Sequence, residues 1–459
     1  MKNKAVIFVA VIFSAILFSL NAVCQPVLTA QKEITYDGKS LAQYAQSTNF
    51  PEIEGKYAYA INLDTGIVVY GKDFNTRTSP ANTVKLMTAI VAYENIEDLD
   101  TVITASSSAV SKAQGANMAI KTGESFTARE LLYGLLVRGA NDAALVLAEY
   151  VAGTEQEFCS LMNQKALELG AVNTHFENVT GFYTEGSYTT ARDVGIIAQY
   201  MYYIPTLFDI SNTTRYVISP TEITKEQRTL INRNMLLSKV LSEDYYYSRA
   251  KGMSQGSTPE GGHCIVSCTT GKTGLTYICV VLASKEENDK NYACIDMRNL
   301  LEYCETNFDF VSVTSGSDIV CEIPVKNAID VDHLALFPER EIQVLLPIDA
   351  DLTKEITKEI RLFSDTAYSP VNKSDVFGEI VIKYRDEATV GTVNIVSNVV
   401  VDRSNVLYFF SRIENMVMGT WFKVFAITAA VLFALYFGLS VYYRYFKRNK
   451  YTGSRINRK

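Results

Sequence analysis

The first alternation of apolar and polar positions comes in two short runs early in the chain. Residues 57–63 (Tyr-Ala-Tyr-Ala-Ile-Asn-Leu) and residues 67–70 (Ile-Val-Val-Tyr) are separated by Asp64-Thr65-Gly66. Short runs rich in aromatic and β-branched residues on both sides of a glycine turn are typical of a β-hairpin. The pattern predicts strand, tight turn and strand over residues 57–70.

Helical spacing of apolar residues replaces this alternation further along. The segment from about Thr83 through Tyr93 is apolar enough to predict a buried helix. Thr127 and Glu130 form a capping-box sequence, which predicts the start of a second helix over the leucine-rich residues that follow. A further helix is expected to end near Val151.

Short alternating runs return after about Phe310, and they predict a small antiparallel β domain over residues 311–402. The alternating runs occupy residues 320–325, 341–347, 378–384 and 391–396. No internal repeat and no low-complexity tract is visible in the sequence.

The N-terminus has the layout of a secretory signal, which we assign to residues 1–24. Lys2 and Lys4 precede an apolar run from Ala5 to Leu20, and small residues follow before Cys24. Cys24 also raises the alternative of a lipidated cysteine, but Val23 before it is bulkier than such a site prefers. Ordinary cleavage and an uncleaved anchor are the favoured interpretations.

The C-terminus carries a second apolar segment. Residues 424–443 contain no charge, and a helix rising ~1.5 Å per residue spans the ~30 Å hydrocarbon core over that length. Residues 444–459 contain seven basic residues and no acid. Because basic segments stay inside, the pattern predicts a transmembrane helix, a cytoplasmic tail and an extracytoplasmic main part from about residue 25 to 420. A buried core helix fits poorly with so basic an end.

Composition and charge narrow the function classes. The chain has 459 residues, 48% of them apolar and 20% charged, which is typical of a globular protein with two or three domains. The net charge of −7 gives no reason to expect a nucleic-acid partner. The eight cysteines lack metal or redox spacing, and buried free thiols are the favoured interpretation. His175 and His263 also lack partners at metal-binding or triad spacing, so we predict no metal and no cofactor.

The stretch Pro80-Ala81-Asn82-Thr83-Val84-Lys85-Leu86-Met87-Thr88-Ala89 carries a family resemblance. It resembles the serine-type D-alanyl-D-alanine carboxypeptidases, the low-molecular-mass penicillin-binding proteins, which read Pro-Ala-Ser-x-x-Lys-x-Met-Thr-Ala here. The resemblance implies that Lys85 stands where the family's base lies. It places Asn82 at the position of the nucleophilic serine, and a carboxamide nitrogen is no nucleophile at neutral pH.

The family's second motif, Ser-x-Asn, corresponds to Gly139-Ala140-Asn141, followed by Asp142 and Ala143, which also match. The resemblance implies that Asn141 keeps the substrate-contacting amide, whereas Gly139 lacks the hydroxyl that relays the proton. So short a motif is weak evidence alone, and the assignment depends on the matching helices on both sides.

The third family motif, Lys-Thr-Gly, lines the site from a strand and holds the substrate carboxylate. Context assigns it to Ser254-Gln255-Gly256, because Gly252, Thr258 and Gly262 match the surrounding family pattern. Two literal copies of Lys-Thr-Gly are rejected as surface turns. They lie at residues 121–123 and 272–274.

The resemblance covers roughly residues 30 to 400 and implies an α/β (α+β) fold. We expect a penicillin-binding-protein or β-lactamase-like transpeptidase domain over residues 30–310, with an antiparallel sheet beside a helical cluster, and then the β domain and membrane helix. A less specific interpretation makes Asn82 the N-cap of its helix. Lys85, without the serine, needs another partner or a lowered pKa.

Two hypotheses for the function follow from these motifs. The favoured one is a non-catalytic wall protein that binds peptidoglycan stem peptides or partner proteins of the cell wall or division machinery. The alternative is a working carboxypeptidase with an unusual nucleophile. Thr83 is rotated ~100° around the helix from position 82 and Ser79 lies before Pro80, so neither is expected to replace the serine.

Overall fold

The computed structural model describes residues 33–35, 38–44, 50–385 and 388–452, with side chains described as far as residue 447. The predicted signal over residues 1–24, including Cys24, lies outside these residues. Contacts divide the chain into two compact units. The first runs to Phe310 and includes Leu345–Ala350, and the second comprises Val311–Val344 and the chain from Asp351.

The helices are numbered here in chain order. They are α1 Leu41–Tyr44, α2 Val84–Asn95, α3 Ser107–Lys112, α4 Ala128–Tyr133, α5 Asn141–Ala152, α6 Glu155–Leu169, α7 Ala191–Tyr202, α8 Pro205–Asn212, α9 Tyr292–Asn307, α10 Leu352–Glu355, α11 Asn405–Met418 and α12 Thr420–Thr452. A 3₁₀ turn, Ala81–Thr83, leads into α2, and a π-helical turn, Gly134–Arg138, follows α4.

The strands are numbered in the same way. They are β1 Tyr57–Asn62, β2 Val68–Lys72, β3 Val102–Thr104, β4 Ser125–Thr127, β5 Arg215–Ile218, β6 Arg228–Ile231, β7 Ala250–Thr258, β8 Gly262–Thr270, β9 Thr276–Ser284, β10 Glu286–Glu287, β11 Lys290–Asn291, β12 Phe308–Thr314, β13 Cys321–Lys326, β14 His333–Pro338, β15 Ile342–Pro347, β16 Ile356–Leu362, β17 Ala367–Tyr368, β18 Val376–Tyr384 and β19 Ala388–Ser397.

The central sheet of the first unit has the order β2-β1-β9-β8-β7, and all its neighbouring strands are antiparallel. The predicted hairpin is confirmed, since Ala60 of β1 faces Tyr70 of β2. The inner strand β9 is buried over nearly its whole length, as expected for a strand covered on both faces. Strand β7 is an edge strand, so one row of its backbone groups is available to other elements.

The helical cluster beside this sheet is built around α2, as its apolar sequence predicts. Residues 84–92 of this helix are all buried, including Lys85 and Thr88. The predicted capping box is confirmed: Thr127 accepts from the backbone N–H of Glu130, and Glu130 accepts from the backbone N–H of Thr127. Helix α4 then passes into the π-helical turn, which fixes where α5 begins.

The second unit contains a six-stranded sheet with the order β16-β18-β19-β14-β13-β17. Neighbouring strands are antiparallel except for β13 and β17, which run parallel. The sheet is thus antiparallel as expected, with one short parallel pair added at its edge. Strand β17 has only two residues, which is too short to produce an alternating pattern in the sequence.

The described residues contain one helix that is long and apolar enough to cross a membrane. It covers Thr420–Lys447 with a mean hydropathy of 2.3, and none of it is buried against the protein. The span expected from the sequence, residues 424–443, lies inside it.

Candidate active site

A cleft of about 240 Å³ lies between the start of α2, the turn before α5, and strand β7. It brings together all the residues that the three motifs single out, although the third motif is more than a hundred positions away from the first two in the chain. The cleft is lined by Asn82, Lys85, Gly139, Asn141, Ser254, Gln255 and Gly256.

Asn82 is bound to the edge of the sheet through its carboxamide. With the amide oriented so that donors meet acceptors, Nδ2 donates to the Gly256 carbonyl at 2.9 Å and Oδ1 accepts from the Gly256 N–H at 3.1 Å. Oδ1 also accepts from the Ser254 hydroxyl at 2.8 Å. The N-cap interpretation of Asn82 is therefore wrong: Asn82 lies inside the 3₁₀ turn, and neither Pro80 nor Thr83 makes a side-chain cap.

The turn that presents Asn82 is tightly enclosed. Ala81, just before it, has a φ of +45°, a conformation that costs energy for a residue with a Cβ. A Cβ on Gly181 would lie 2.0 Å from the Ala81 carbonyl oxygen, and a Cβ on Gly256 would lie 2.9 Å from the Asn82 Cβ. Glycine at both positions is what lets the backbone on each side approach the turn so closely.

Lys85 has a new partner and a lowered pKa. Its Nζ donates to the Thr180 carbonyl at 2.5 Å, and the side chain is buried. Burial, and secondarily the charge of Arg233, lowers the pKa of Lys85 to about 7. The sequence predicts another partner or a lowered pKa for a lysine without its serine, and Lys85 has both.

The second motif lies in the turn between the π-helical segment and α5. Gly139 has a φ of +69°, and a Cβ there would lie 3.2 Å from Cδ of Arg233. Asn141 is buried at 5% exposure, and its Nδ2 donates to the Gln114 carbonyl at 2.7 Å. Its Oδ1 has no hydrogen-bond partner among the residues that the structure describes, which is costly for a buried amide oxygen.

The third-motif residues lie on β7, as assigned from context. Gln255 is bound to the protein itself: Oε1 accepts from the Met235 N–H at 2.9 Å and Nε2 donates to the Cys294 sulfur at 3.2 Å. The two rejected copies of Lys-Thr-Gly are absent from the lining of the cleft. Residues 272–274 form the turn between β8 and β9, and residues 121–123 lie in the turn before β4.

Sequence reasoning missed Arg233, whose side chain lines the cleft where Ser254 and Gln255 offer no cation. The signal was present as Asn232-Arg233-Asn234. Asn232 donates to the carbonyls of Ser211 and Thr213, both at 2.9 Å, and Asn234 donates to Ser267 Oγ at 3.0 Å. The two buried asparagines fix the turn, and the arginine between them remains at the mouth of the cleft.

Metal chemistry has no candidate site in the part of the chain that the structure describes, where no group of three potential ligand residues converges. The two histidines considered above each lie beside one acid: His175 is 2.8 Å from Glu177, and His263 is 2.9 Å from Glu286. Six cysteines are buried, and burial raises the pKa of the Cys264 thiol to about 11.

Comparison with known proteins gives a consistent picture. The family model for D-alanyl-D-alanine carboxypeptidase matches residues 44–286. D-alanyl-D-alanine carboxypeptidase DacF of Bacillus subtilis is 27% identical over 391 residues, covering 84% of this chain and 93% of that protein. The D-alanyl-D-alanine carboxypeptidase of Streptomyces sp. strain K15 is 34% identical over 254 residues, covering 52% of this chain and 84% of that protein.

Solved structures agree with these relatives. The D-alanyl-D-alanine carboxypeptidase DacD from Francisella tularensis superposes with a TM-score of 0.60 at 25% identity, covering 82% of this chain and 97% of that one. Penicillin binding protein 5 from Haemophilus influenzae, at 20% identity and a TM-score of 0.59, shares the fold. The predicted mixed α/β, penicillin-binding-protein-like fold is confirmed.

Proposed function

This chain belongs to the D-alanyl-D-alanine carboxypeptidase family, and from that premise we propose that it is a non-catalytic member that binds peptidoglycan stem peptides. The family acts in cell-wall metabolism on the peptides of peptidoglycan. In this proposal the chain still binds these peptides, but it does not form the acyl-enzyme bond through which the family cleaves them.

The observation that carries the proposal is the state of Asn82. Acyl transfer needs an oxygen or sulfur nucleophile with a base in reach and donors for the developing oxyanion. Asn82 supplies a carboxamide whose donor and acceptor atoms are already engaged by Gly256 and Ser254. Asn82 therefore acts as a structural contact between the 3₁₀ turn and β7.

The neighbouring hydroxyl groups support the same conclusion. Thr83 Oγ1 donates to the Pro80 carbonyl at 2.5 Å, and Thr88 Oγ1 donates to the Val179 carbonyl at 3.0 Å. Both are buried and directed at backbone acceptors. Neither hydroxyl is available to attack a ligand in the cleft.

Binding of a peptide is supported by groups that the cleft leaves unused. Asn141 Oδ1 is buried and unpartnered, so it can accept a backbone N–H from a ligand. Arg233 at the mouth can hold a carboxylate by charge-assisted hydrogen bonds. An acceptor for an amide and a cation for a carboxylate are what the end of a stem peptide requires.

One observation favours the alternative, a working carboxypeptidase. The pKa of Lys85, lowered to about 7, would let the amine accept a proton at neutral pH. Four residues with hydroxyl groups line the same cleft, and this alternative would have to use one of them: Thr180, Ser254, Ser257 and Thr258. Of these, Ser257 is the exposed one.

For the cellular location we propose an anchor at the C-terminal helix, with residues 444–459 in the cytoplasm and the cleft outside. The uncharged apolar run and the basic tail support this orientation. Protein partners from the cell-wall or division machinery fit an anchored, non-catalytic chain as well, and they would act in addition to stem peptides.

The test uses the full chain in detergent. We expect no adduct with fluorescent penicillin by gel or intact mass, no D-alanine released from a stem pentapeptide, and measurable binding of stem peptides by calorimetry. A stoichiometric penicillin adduct would establish the enzyme alternative. Absence of binding to stem peptides of every length would remove the peptide-binding proposal and leave a protein-binding role.

A further inference from the structure

A second cavity, of about 640 Å³, adjoins the cleft at the mouth. Arg233, Gln255 and Gly256 line both cavities, so the two form one continuous path. Arg138 lines only the second cavity, so two arginines belong to the lining of that cavity.

The two arginines have no acidic partner among the residues that the structure describes, since neither makes an ion pair there. The one acid in the lining of the second cavity is Glu286, which lies 2.9 Å from His263. Partial desolvation, and secondarily the charge of Arg138, lowers the pKa of Arg233, although the residue stays exposed. Two cations that repel each other beside an open cavity favour an anionic ligand.

Arg233 is held in place for this role. Its backbone N–H donates to the Val137 carbonyl at 3.1 Å, which ties it to the π-helical turn that ends in Arg138. Its Cδ lies 3.2 Å from the place where a side chain at position 139 would begin. Glycine at 139, which removes the relay hydroxyl of the family, therefore also leaves the space in which Arg233 packs beside Arg138.

Size is the third consideration. A terminal D-alanine carries one carboxylate and a methyl group, so it would engage one guanidinium and leave most of the second cavity empty. A longer terminal residue with a second acidic group would extend past Arg233 into that space. Such a residue would meet Arg138.

We propose that the preferred ligand is a stem peptide whose last residue carries two carboxylates, one bound by Arg233 and the other by Arg138. This inference rests on the proposed peptide-binding function and narrows its ligand. A stem that ends in a diamino-dicarboxylic acid has this chemistry. Two successive hydrolyses would supply it, first of the D-alanyl-D-alanine bond and then of the bond from the diamino acid to the remaining D-alanine, each consuming one water and releasing one D-alanine, so this chain would bind trimmed stems.

The experiment compares three synthetic peptides by calorimetry on the full chain in detergent. They are the tripeptide L-alanyl-γ-D-glutamyl-meso-diaminopimelate, the same tripeptide with its side-chain carboxylate amidated, and the pentapeptide that adds D-alanyl-D-alanine. We expect the diacid tripeptide to bind about five- to tenfold more tightly than the amidated one, as for one partly exposed charge-assisted contact. The pentapeptide should bind more weakly than the diacid tripeptide.

Arg138→Gln should reduce the affinity for the diacid tripeptide to that for the amidated one, and should leave the affinity for the amidated peptide unchanged. Arg138→Lys should retain part of the preference. Arg129→Gln, an exposed arginine paired with Asp100, is the matched control and should change neither affinity.

Each contrary result has a distinct meaning. Equal affinities for the diacid and amidated tripeptides, or an Arg138→Gln effect of the same size on both, would overturn the inference while peptide binding itself stands. Displacement of the tripeptide by equimolar inorganic phosphate would also overturn it, in favour of a phosphate ligand. If none of the three peptides binds, the proposed function itself fails.

Discussion

The carboxamide of Asn82 pairs with both backbone polar groups of Gly256, donating to the carbonyl at 2.9 Å and accepting from the N–H at 3.1 Å. This is the pattern that a neighbouring strand would make with the edge of a sheet. A serine at the same position is too short to make both bonds. The amide thus connects the start of α2 to the sheet in a way that the family's nucleophile does not.

The first prediction concerns stability. Asn82→Ala removes the buried amide and leaves the partly buried Gly256 N–H and carbonyl without these partners, so it should lower the free energy of unfolding by ~1–3 kcal/mol. The midpoint of thermal unfolding should fall by at least ~2 °C, followed by circular dichroism on the full chain in detergent. Asn372→Ala, at an exposed loop position, is the control and should leave the midpoint unchanged. An unchanged midpoint for Asn82→Ala would show that the pairing contributes nothing.

Much of the cleft was predictable because its residues are fixed by local sequence. A glycine turn, a capping box and the flanks of each motif place Lys85 on a helix, Asn141 at a helix start and Ser254 on a strand. Each assignment depends on a short stretch of sequence. The family resemblance predicts that these three stretches belong to one site, and the structure places them around one cleft.

What could not be predicted depends on contacts between distant parts of the chain. The bond from Asn82 to Gly256 joins residues far apart in sequence, whereas an N-cap is a local interaction, so the sequence favoured the wrong partner. Arg233 was not predicted to line the cleft for the same reason. Its position depends on the packing of its turn against the π-helical segment.

The second prediction concerns pH and Lys85. Its pKa is lowered from 10.5 in the ordinary amine to about 7 in the folded chain, so the unfolded chain binds more protons between those two values. At or below pH ~7 Lys85 is protonated in the folded chain as well, and keeping this charge buried lowers the free energy of unfolding by the full amount. This loss of stability becomes smaller as the pH rises toward ~10. The free energy of unfolding should gain up to ~1.4 kcal/mol per pH unit from this residue within that window.

Lys85→Met isolates the effect, because every other group is common to both proteins. The stability of the unmodified chain minus that of the variant should rise from pH 7 to pH 9 in urea unfolding, an interval inside the ~7–10 window set by the two pKa values. Lys112→Met, at an exposed position of α3, should show no such difference. A pH-independent difference for Lys85→Met would mean that the amine stays charged in the folded chain.

The third prediction concerns the anchor. A chain that ends after Ser404 lacks α11 and the apolar helix Thr420–Lys447, so after membrane fractionation it should be recovered in the soluble fraction. The full chain, fractionated in parallel, should remain with the membranes. If the shortened chain also stays with the membranes, an uncleaved N-terminal segment or a lipidated Cys24 provides the anchor.

The fourth prediction concerns how far catalysis has been lost. Asn82→Ser returns a hydroxyl beside Lys85, so a loss confined to the nucleophile would be reversed by this change alone. We expect that it will not be, and that acylation by fluorescent penicillin will stay near background. Ser254 and Gln255 would still stand at the positions on β7 where the family's lysine and threonine hold the carboxylate, and Arg233 lies on a different segment of the lining, so it does not replace those two contacts. Hydrogen bonds to charged groups contribute ~1.5–3 kcal/mol, or tenfold and more in productive binding.

The missing relay hydroxyl is a separate deficit, and general acid–base steps supply ~10²–10⁴ in rate. Gly139→Ser returns a hydroxyl at some cost in strain, because position 139 has a φ of +69° and Cδ of Arg233, 3.2 Å from the new Cβ, has to shift. The combined variant Asn82→Ser, Gly139→Ser, Ser254→Lys, Gln255→Thr should be the first to acylate detectably, measured by intact mass over time. If Asn82→Ser alone acylates as fast as an active family member, the assignment of the third motif to residues 254–256 is wrong, and the copy at residues 272–274 must be reconsidered.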